Sequence, residues 1–216
     1  MSGYLKEFFK QVVFRHTSLG APRYQYNIEP IQIAEIINGI ERSKANSGGC
    51  VVEIGLARGL TSKLIAEHIK RQSYDTMFYC LDTFSSFTKA DLEFEYQTRG
   101  KTRGELVGFS YNDFEVWKSN FVQYPFVQPI QTDVSEFDFS TIAPINFCFL
   151  DVDLYVPTKK ALENMLPHMA PGGVIAVDDV LDNNRWDGAF QAFMEFVSEN
   201  RLLHRVSGNK CGVIEL

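Results

Sequence analysis

Five short apolar runs alternate along the chain with segments of helical periodicity, and this alternation restricts the fold more than any other feature. The runs are continuously apolar, as strands are when a parallel sheet is covered on both faces. Strands and helices in this order predict an α/β fold with a doubly wound, mostly parallel sheet. The predicted strands are 50–54, 77–81, 126–131, 145–150 and 173–178, and the predicted helices are about 60–72, 111–121, 156–169 and 186–200.

The two ends of the chain depart from this alternation. Residues 202–206 and 211–215 are strand-like and flank a Ser-Gly-Asn-Lys turn, which predicts an antiparallel hairpin at the C-terminus. Residues 2–15 have the apolar spacing of a helix, and Pro30 suits the first turn of a second one. We therefore expect one structural domain, made of an N-terminal helical cap at 1–46 and an α/β part at 47–216.

One long segment, 84–110, fits neither strands nor helices and is interpreted as a loop inserted after the second strand. Loops of this length are usually functional or mobile. It carries the basic residues Arg99, Lys101 and Arg103, which could contact an anionic substrate group or could simply be solvated.

Composition limits the partners. The net charge of −6 and the pI near 5.3 argue against nucleic acid or an anionic membrane as the main partner. No apolar run approaches the ~20 residues that a membrane-spanning helix needs. The charged residues near the N-terminus argue against a signal peptide, so we expect a cytoplasmic protein with reduced thiols. Its cysteines are Cys50, Cys80, Cys148 and Cys211.

Two of the apolar runs end in paired carboxylates. Asp151 and Asp153 follow the fourth predicted strand, and Asp178 and Asp179 end the fifth. Carboxylates at the ends of buried strands are costly unless positive charge lies among them, and a hard divalent cation with oxygen ligands would supply it. Alternatively these acids are caps of strand-to-helix loops, and Asp153 could cap the helix that starts near Val156.

Three further motifs lie at the ends of the first three predicted strands. The first has the spacing Glu53-x-Gly55-x-x-x-Gly59, which lacks the third glycine of a dinucleotide fingerprint. Asp82 could accept hydrogen bonds from ribose hydroxyls, and Asp133 could accept one from an adenine amino group. The alternatives are a tight strand-to-helix turn for the glycines and local capping for the two acids.

Together these motifs resemble the S-adenosylmethionine site of class I methyltransferases, a fold that also ends in an antiparallel hairpin and has seven strands. The resemblance covers about residues 50–216. It implies that the cofactor is bound by Glu53, Gly55, Gly59, Thr61, Ser62, Asp82, Thr83, Asp133, Val134 and Asp151.

The run Asp-Val-Asp-Leu-Tyr-Val-Pro-Thr at 151–158, followed by Gly-Gly-Val-Ile-Ala-Val-Asp-Asp at 172–179, resembles the macrocin O-methyltransferase family. Those enzymes methylate sugar hydroxyls of macrolide and aminocoumarin antibiotics and need magnesium. The resemblance implies that Asp151, Asp178 and Asp179 bind Mg²⁺ and that Asp153 is the general base. It also implies a small hydroxylated acceptor, a sugar or a glycosylated natural product.

Other functions stay open at this point. A catechol-type O-methyltransferase would have lysine at Leu154 and asparagine at Asp179, so this chain departs from it at both positions. A nicotinamide-dependent oxidoreductase is disfavoured by the missing glycine, and a non-catalytic cofactor-binding module by the four clustered acids. The identity of the acceptor is open, and so is assembly into a homo-oligomer.

Overall fold

A seven-stranded sheet with the order β3-β2-β1-β4-β5-β7-β6 forms the centre of the molecule. The computed structural model describes residues 3–21, 24, 26–43 and 48–216. Strands β1 to β5 are parallel, and β7 pairs antiparallel with both β5 and β6. The predicted sheet and its C-terminal hairpin are confirmed. The strands are β1 Cys50–Ile54, β2 Phe78–Asp82, β3 Val127–Gln131, β4 Ile145–Leu150, β5 Met169–Val177, β6 His204–Ser207 and β7 Cys211–Glu215.

Seven helices accompany these strands in the part of the chain that the structure describes. The sheet is apolar on both faces because each face packs against helices, and two separate clusters of buried side chains result. The helices are α1 Gly3–His16, α2 Pro30–Ser43, α3 Leu60–Gln72, α4 Lys89–Thr98, α5 Phe114–Ser119, α6 Tyr155–Met165 and α7 Asp187–Glu199.

Helix α4 corrects the prediction that 84–110 is a loop throughout. Thr88 begins this helix, because its hydroxyl accepts a hydrogen bond from the backbone N–H of Asp91 at 3.1 Å. The buried side chains of α4 are Asp91 and Glu95, so the inward face is acidic rather than apolar. A search for apolar periodicity could not detect a helix of this kind.

The two N-terminal helices differ in their packing. Helix α2 packs on β5 and β4, and Ile36 and Ile40 are buried beside Phe147. Helix α1 has no buried residue, and Phe14 on it is 71% exposed. The predicted boundary between cap and α/β part falls at 46 and 47, which lie outside the described residues, so this division stays a prediction.

The four cysteines are all buried and free, as predicted. Burial raises the pKa of the Cys50 thiol to about 12. Among the described helices, none combines the length and the apolar character that crossing a membrane would require.

Candidate active site

A cavity of about 520 Å³ lies at the carboxyl ends of the parallel strands. The strand order reverses between β1 and β4, which is where open α/β sheets bind their ligands. Most of the predicted site residues line this cavity, but Glu53, Gly59 and Ser62 do not. Those on its wall are Gly55, Thr61, Asp82, Thr83, Asp133, Val134, Asp151, Asp153, Asp178 and Asp179.

The two glycines of the first motif are required for different reasons. Gly55 has φ +83°, and a Cβ atom there would lie 1.8 Å from the carbonyl oxygen of Asp151. Gly59 has φ +80°, and a Cβ atom there would lie 2.8 Å from Nε1 of Trp117 and 2.9 Å from the Phe121 ring. Gly55 therefore keeps the cavity wall tightly packed, whereas Gly59 makes room for aromatic packing behind the loop.

Asp82 braces the loops at the ends of β1 and β2. Its Oδ2 accepts a hydrogen bond from the backbone N–H of Leu56 at 2.7 Å, and its Oδ1 accepts one from Phe84 at 2.6 Å. Burial raises the pKa of this carboxyl, and the backbone donors oppose that rise. The Ala57 backbone and the Thr83 side chain also hydrogen-bond to this carboxylate, so Asp82 holds the two loops together through several donors.

Asp133 combines a local role with a position on the cavity wall. Its Oδ1 accepts a hydrogen bond from the backbone N–H of Ser135 at 2.9 Å, so it caps the short turn that follows β3. The capping alternative therefore describes Asp133 correctly. It does not remove Asp133 from the site, because the residue also lines the cavity.

Glu53 lies beneath the glycine loop and is only 1% exposed. Desolvation raises its pKa to about 8, while the Ser62 hydroxyl acts in the opposite direction. Glu53 and Ser62 do not line the cavity, and their contact with a cofactor stays a prediction.

The raised pKa of Glu53 predicts a pH-dependent stability. The folded state holds this proton more tightly than the unfolded chain, whose carboxyl titrates near 4.5, so stability is lost as the pH rises from about 4.5 to about 8. At 1.36 kcal/mol per pKa unit the loss is at most about 4–5 kcal/mol. A Glu53→Gln variant should lose less stability than wild type over this range, by up to that amount, because the other buried acids still titrate; urea unfolding at pH 5 and pH 8 would measure the difference.

The exposed acid Glu136 offers a matched control, because Glu136→Gln removes the same charge outside the core. That variant should keep the wild-type dependence on pH. If Glu53→Gln keeps it too, the Glu53 carboxyl does not titrate in this range.

Three acids, of which Asp153 and Asp179 are buried and Asp151 is partly buried, form a compact cluster on the cavity wall. Carboxylate oxygens of Asp151, Asp153 and Asp179 lie within 4.8 Å of one another. Desolvation and the neighbouring carboxylates raise the pKa of Asp151 and of Asp153 well above the usual range. Closely spaced carboxylate oxygens are the ligands that Mg²⁺ and Ca²⁺ prefer, so the donor set fits a hard divalent cation.

Asp178 is adjacent to this cluster but is occupied by protein donors. Its Oδ1 accepts a hydrogen bond from Nε2 of Gln32 at 2.6 Å, and its Oδ2 accepts one from Nζ of Lys210 at 3.0 Å. The same ammonium lies 2.8 Å from Oδ1 of Asp179. The structure thus brings Asp153, rather than Asp178, into the compact set with Asp151 and Asp179.

Lys210 is a site residue that the sequence analysis missed. It lies in the hairpin turn, which the sequence analysis treated as a simple connection. The antiparallel register pairs Val177 with Gly212, which places the turn next to the acids that end β5. That register is the signal that could have identified Lys210.

Asp153 does not cap the helix that follows it. Helix α6 begins at Tyr155, and its N-cap residue is Leu154. No side-chain hydrogen bond caps the helix at that position. Instead the Tyr155 N–H donates to Oε1 of Glu95 at 2.8 Å. The capping alternative for Asp153 is therefore not supported, and its carboxylate lies among the other acids.

Two of the three basic residues of the 84–110 segment, Arg99 and Lys101, are held in ion pairs, whereas Arg103 is exposed. Nε of Arg99 lies 2.9 Å from Oε2 of Glu95, and Nη2 of Arg99 lies 2.7 Å from Oδ1 of Asp187. Lys101 contacts the same Asp187 oxygen at 2.8 Å. We call Glu95, Arg99, Lys101 and Asp187 the Asp187 network. It joins the 84–110 segment to the start of α7.

Comparison with known proteins identifies methyltransferases as proteins of similar sequence and fold. A family model described as "Methyltransferase domain" matches residues 52–180. No curated protein sequence matched the chain. The solved O-methyltransferase NovP superimposes with a TM-score of 0.70 at 17% identity, covering 95% of this chain and 87% of NovP. The calicheamicin methyltransferase CalS11 gives 0.66 at 16% identity, covering 100% and 93%.

Proposed function

The chain belongs to the Methyltransferase domain family, and on that premise we propose that it transfers the methyl group of S-adenosylmethionine to a sugar hydroxyl with the help of Mg²⁺. The supporting observation is that one cavity combines the Gly55 loop with the carboxylate cluster. CalS11, which shares the fold, is described as a TDP-rhamnose 3′-O-methyltransferase. This similarity supports a sugar as the acceptor.

The cofactor half of the cavity would be formed by the loops after β1, β2 and β3. Gly55 has no side chain, so the backbone can approach a ligand closely. Asp82 lines the cavity at the end of β2, where ribose hydroxyls would lie, and Asp133 lies on the next loop, where an adenine could reach it. The sulfonium methyl of S-adenosylmethionine is already activated, so this chain mainly has to align it with the attacking oxygen.

The metal half would be formed by Asp151, Asp179 and Asp178, whose Oδ2 would exchange the Lys210 ammonium for the ion. A bound Mg²⁺ would stabilise the negative charge that develops on the acceptor oxygen, because a sugar hydroxyl is a weak acid. Lys210 lies between Asp178 and Asp179 and lowers the repulsion within the cluster. Gln32 fixes the orientation of the Asp178 carboxylate from α2.

Asp153 is the proposed proton acceptor. Its carboxylate is buried among the other acids and, because Glu95 caps α6, it has no capping role to serve. A positioned carboxylate can take the proton of a hydroxyl as the methyl group is transferred. The residue that follows is Leu154, so no lysine is available at the position where a catechol-type enzyme has one.

Methyl transfer can be tested directly with labelled S-adenosylmethionine, Mg²⁺ and a panel of pyranosides and catechols. We expect label in a pyranoside, at least a tenfold loss of turnover with EDTA, and recovery when Mg²⁺ is restored. Calorimetry should detect binding of S-adenosylmethionine and none of NAD. Binding of NAD alone would contradict the transferase, and full activity in EDTA would remove the metal from the proposal. Label in catechols only would favour a phenolic acceptor.

A further inference from the structure

Three half-buried aromatic side chains form one wall of the cavity, and the chemistry proposed above uses none of them. The rings of Phe87 and Phe109 are edge to face with centroids 5.6 Å apart. Trp186 lies 5.7 Å from Phe87 and 6.5 Å from Phe109. We propose that this aromatic wall (Phe87, Phe109 and Trp186) is the site on which the pyranose ring of the acceptor stacks. The proposal rests on the proposed function.

The aromatic wall is not part of the hydrophobic core. None of its three rings belongs to either of the two clusters of buried side chains found among the described residues. All three instead line the cavity that contains the carboxylates. Aromatic side chains that border a pocket with a few polar groups are typical of ligand sites.

Unusual backbone conformations and one hydrogen bond restrain the segments that carry Phe87 and Phe109. Ser86 has φ +75° and Phe109 has φ +62°, conformations that non-glycine residues rarely adopt. The Ser86 hydroxyl donates to the Gly108 carbonyl at 2.6 Å, which ties the two strained segments together. Strain of this kind is found where a ligand site needs a fixed shape.

Trp186 is held from the other side. The guanidinium of Arg185 lies 4.3 Å from the centroid of its ring and also donates to the Val107 carbonyl at 2.7 Å. The next residue, Asp187, is the centre of the Asp187 network. The indole is thereby fixed before any ligand arrives, which lowers the entropy lost on binding.

The combination of groups favours a pyranose. A pyranose has a C–H face that packs on an aromatic ring and a polar edge that needs hydrogen-bond partners. The cavity offers the aromatic wall together with acceptors on the carboxylate cluster and on Asp91. A sugar stacked on this wall would lie in the same cavity as Asp153.

Fluorescence can test the stacking without turnover. The chain has two tryptophans, and Trp117 is buried against Phe121, so a Trp117→Phe variant reports on Trp186 alone. With S-adenosylhomocysteine and Mg²⁺ present, adding methyl α-L-rhamnopyranoside should change the fluorescence emission of Trp186 until binding is saturated. No saturable change would overturn the proposal, as would a change with catechol only. If the Trp117→Phe variant does not fold, the fluorescence change on adding the rhamnoside can be compared between wild type and Trp186→Phe. The difference is the contribution of Trp186.

Kinetics provide the second measurement. Trp186→Ala should raise the KM for the pyranoside about tenfold, since a lost stacking contact of ~1.4 kcal/mol corresponds to that factor. The KM for S-adenosylmethionine should stay within twofold, and Trp186→Phe should remain near wild type. Leu203→Ala, at a residue that is 89% exposed, controls for a general effect of losing an apolar side chain.

The outcomes separate the two proposals. An unchanged pyranoside KM in Trp186→Ala would overturn the stacking site while leaving the transferase intact. A wild-type protein that methylates no pyranoside would contradict the proposed function, even if rhamnoside still altered the emission of Trp186.

Discussion

An Asp153→Asn variant is expected to turn over about 10²–10⁴-fold more slowly than wild type, the range that a positioned general base contributes. The amide has nearly the same shape but cannot take the proton of the acceptor hydroxyl. The affinities for S-adenosylmethionine and Mg²⁺ should change little. Single-turnover methyl transfer would measure the rate, and calorimetry would measure both affinities.

Asp179→Asn is the matched comparison, because it makes the same chemical change at another acid of the cluster. It should weaken Mg²⁺ binding by at least about tenfold. Losing a residue that only hydrogen-bonds to a metal ligand already costs about that much, and Asp179 is proposed as a ligand itself. Excess Mg²⁺ should then restore part of its turnover. If Asp153→Asn behaves in the same way, Asp153 is a metal ligand, as the close spacing of its oxygens with those of Asp151 and Asp179 would allow, and the base is elsewhere.

A Gly55→Ala variant is expected to be destabilised and to bind S-adenosylmethionine poorly. The added methyl would lie 1.8 Å from the Asp151 carbonyl oxygen, at a backbone φ of +83°. Overpacking costs about 1–3 kcal/mol and the left-handed conformation about 1–2 kcal/mol more. For a chain of this length, 3 kcal/mol corresponds to a fall in Tm of about 6–12 °C, which calorimetry would detect.

Gly104→Ala is the control for this substitution. Gly104 has no atom within 4 Å of an added Cβ and no positive φ, so its variant should melt within about 2 °C of wild type. Because the Gly55 clash is with Asp151, the methyl should also disturb the carboxylate cluster. Normal Mg²⁺ affinity in Gly55→Ala would show that the cofactor loop and the cluster are independent.

The sequence predicted the sheet well because a strand covered on both faces must be apolar throughout. Strand β4 has the predicted bounds, and β5 differs mainly by beginning at Met169 instead of 173. Helix α4 was missed for the opposite reason. Its buried side chains are the acids Asp91 and Glu95, so the apolar periodicity on which the helix predictions depended is absent there.

The site was predictable where side chains follow a strand directly. Asp151, Asp153, Asp178 and Asp179 do so, and all four line the cavity. Lys210 could not be assigned in the same way, because its position depends on how the hairpin is registered against β5. The spacing of the acids in the sequence also cannot show which of them binds the metal and which takes the proton. That depends on which carboxylate oxygens accept hydrogen bonds from Lys210 and Gln32.

The bond from the Tyr155 N–H to Glu95 has a consequence for protein engineering. Replacing residues 84–110 with the equivalent segment of another enzyme would be one way to change the acceptor. A graft that lacks an acid at the Glu95 position would leave the first turn of α6 without its acceptor, beside Asp153. Chimeras that keep Glu95 and Arg99 should therefore retain activity far more often than exchanges of the whole segment.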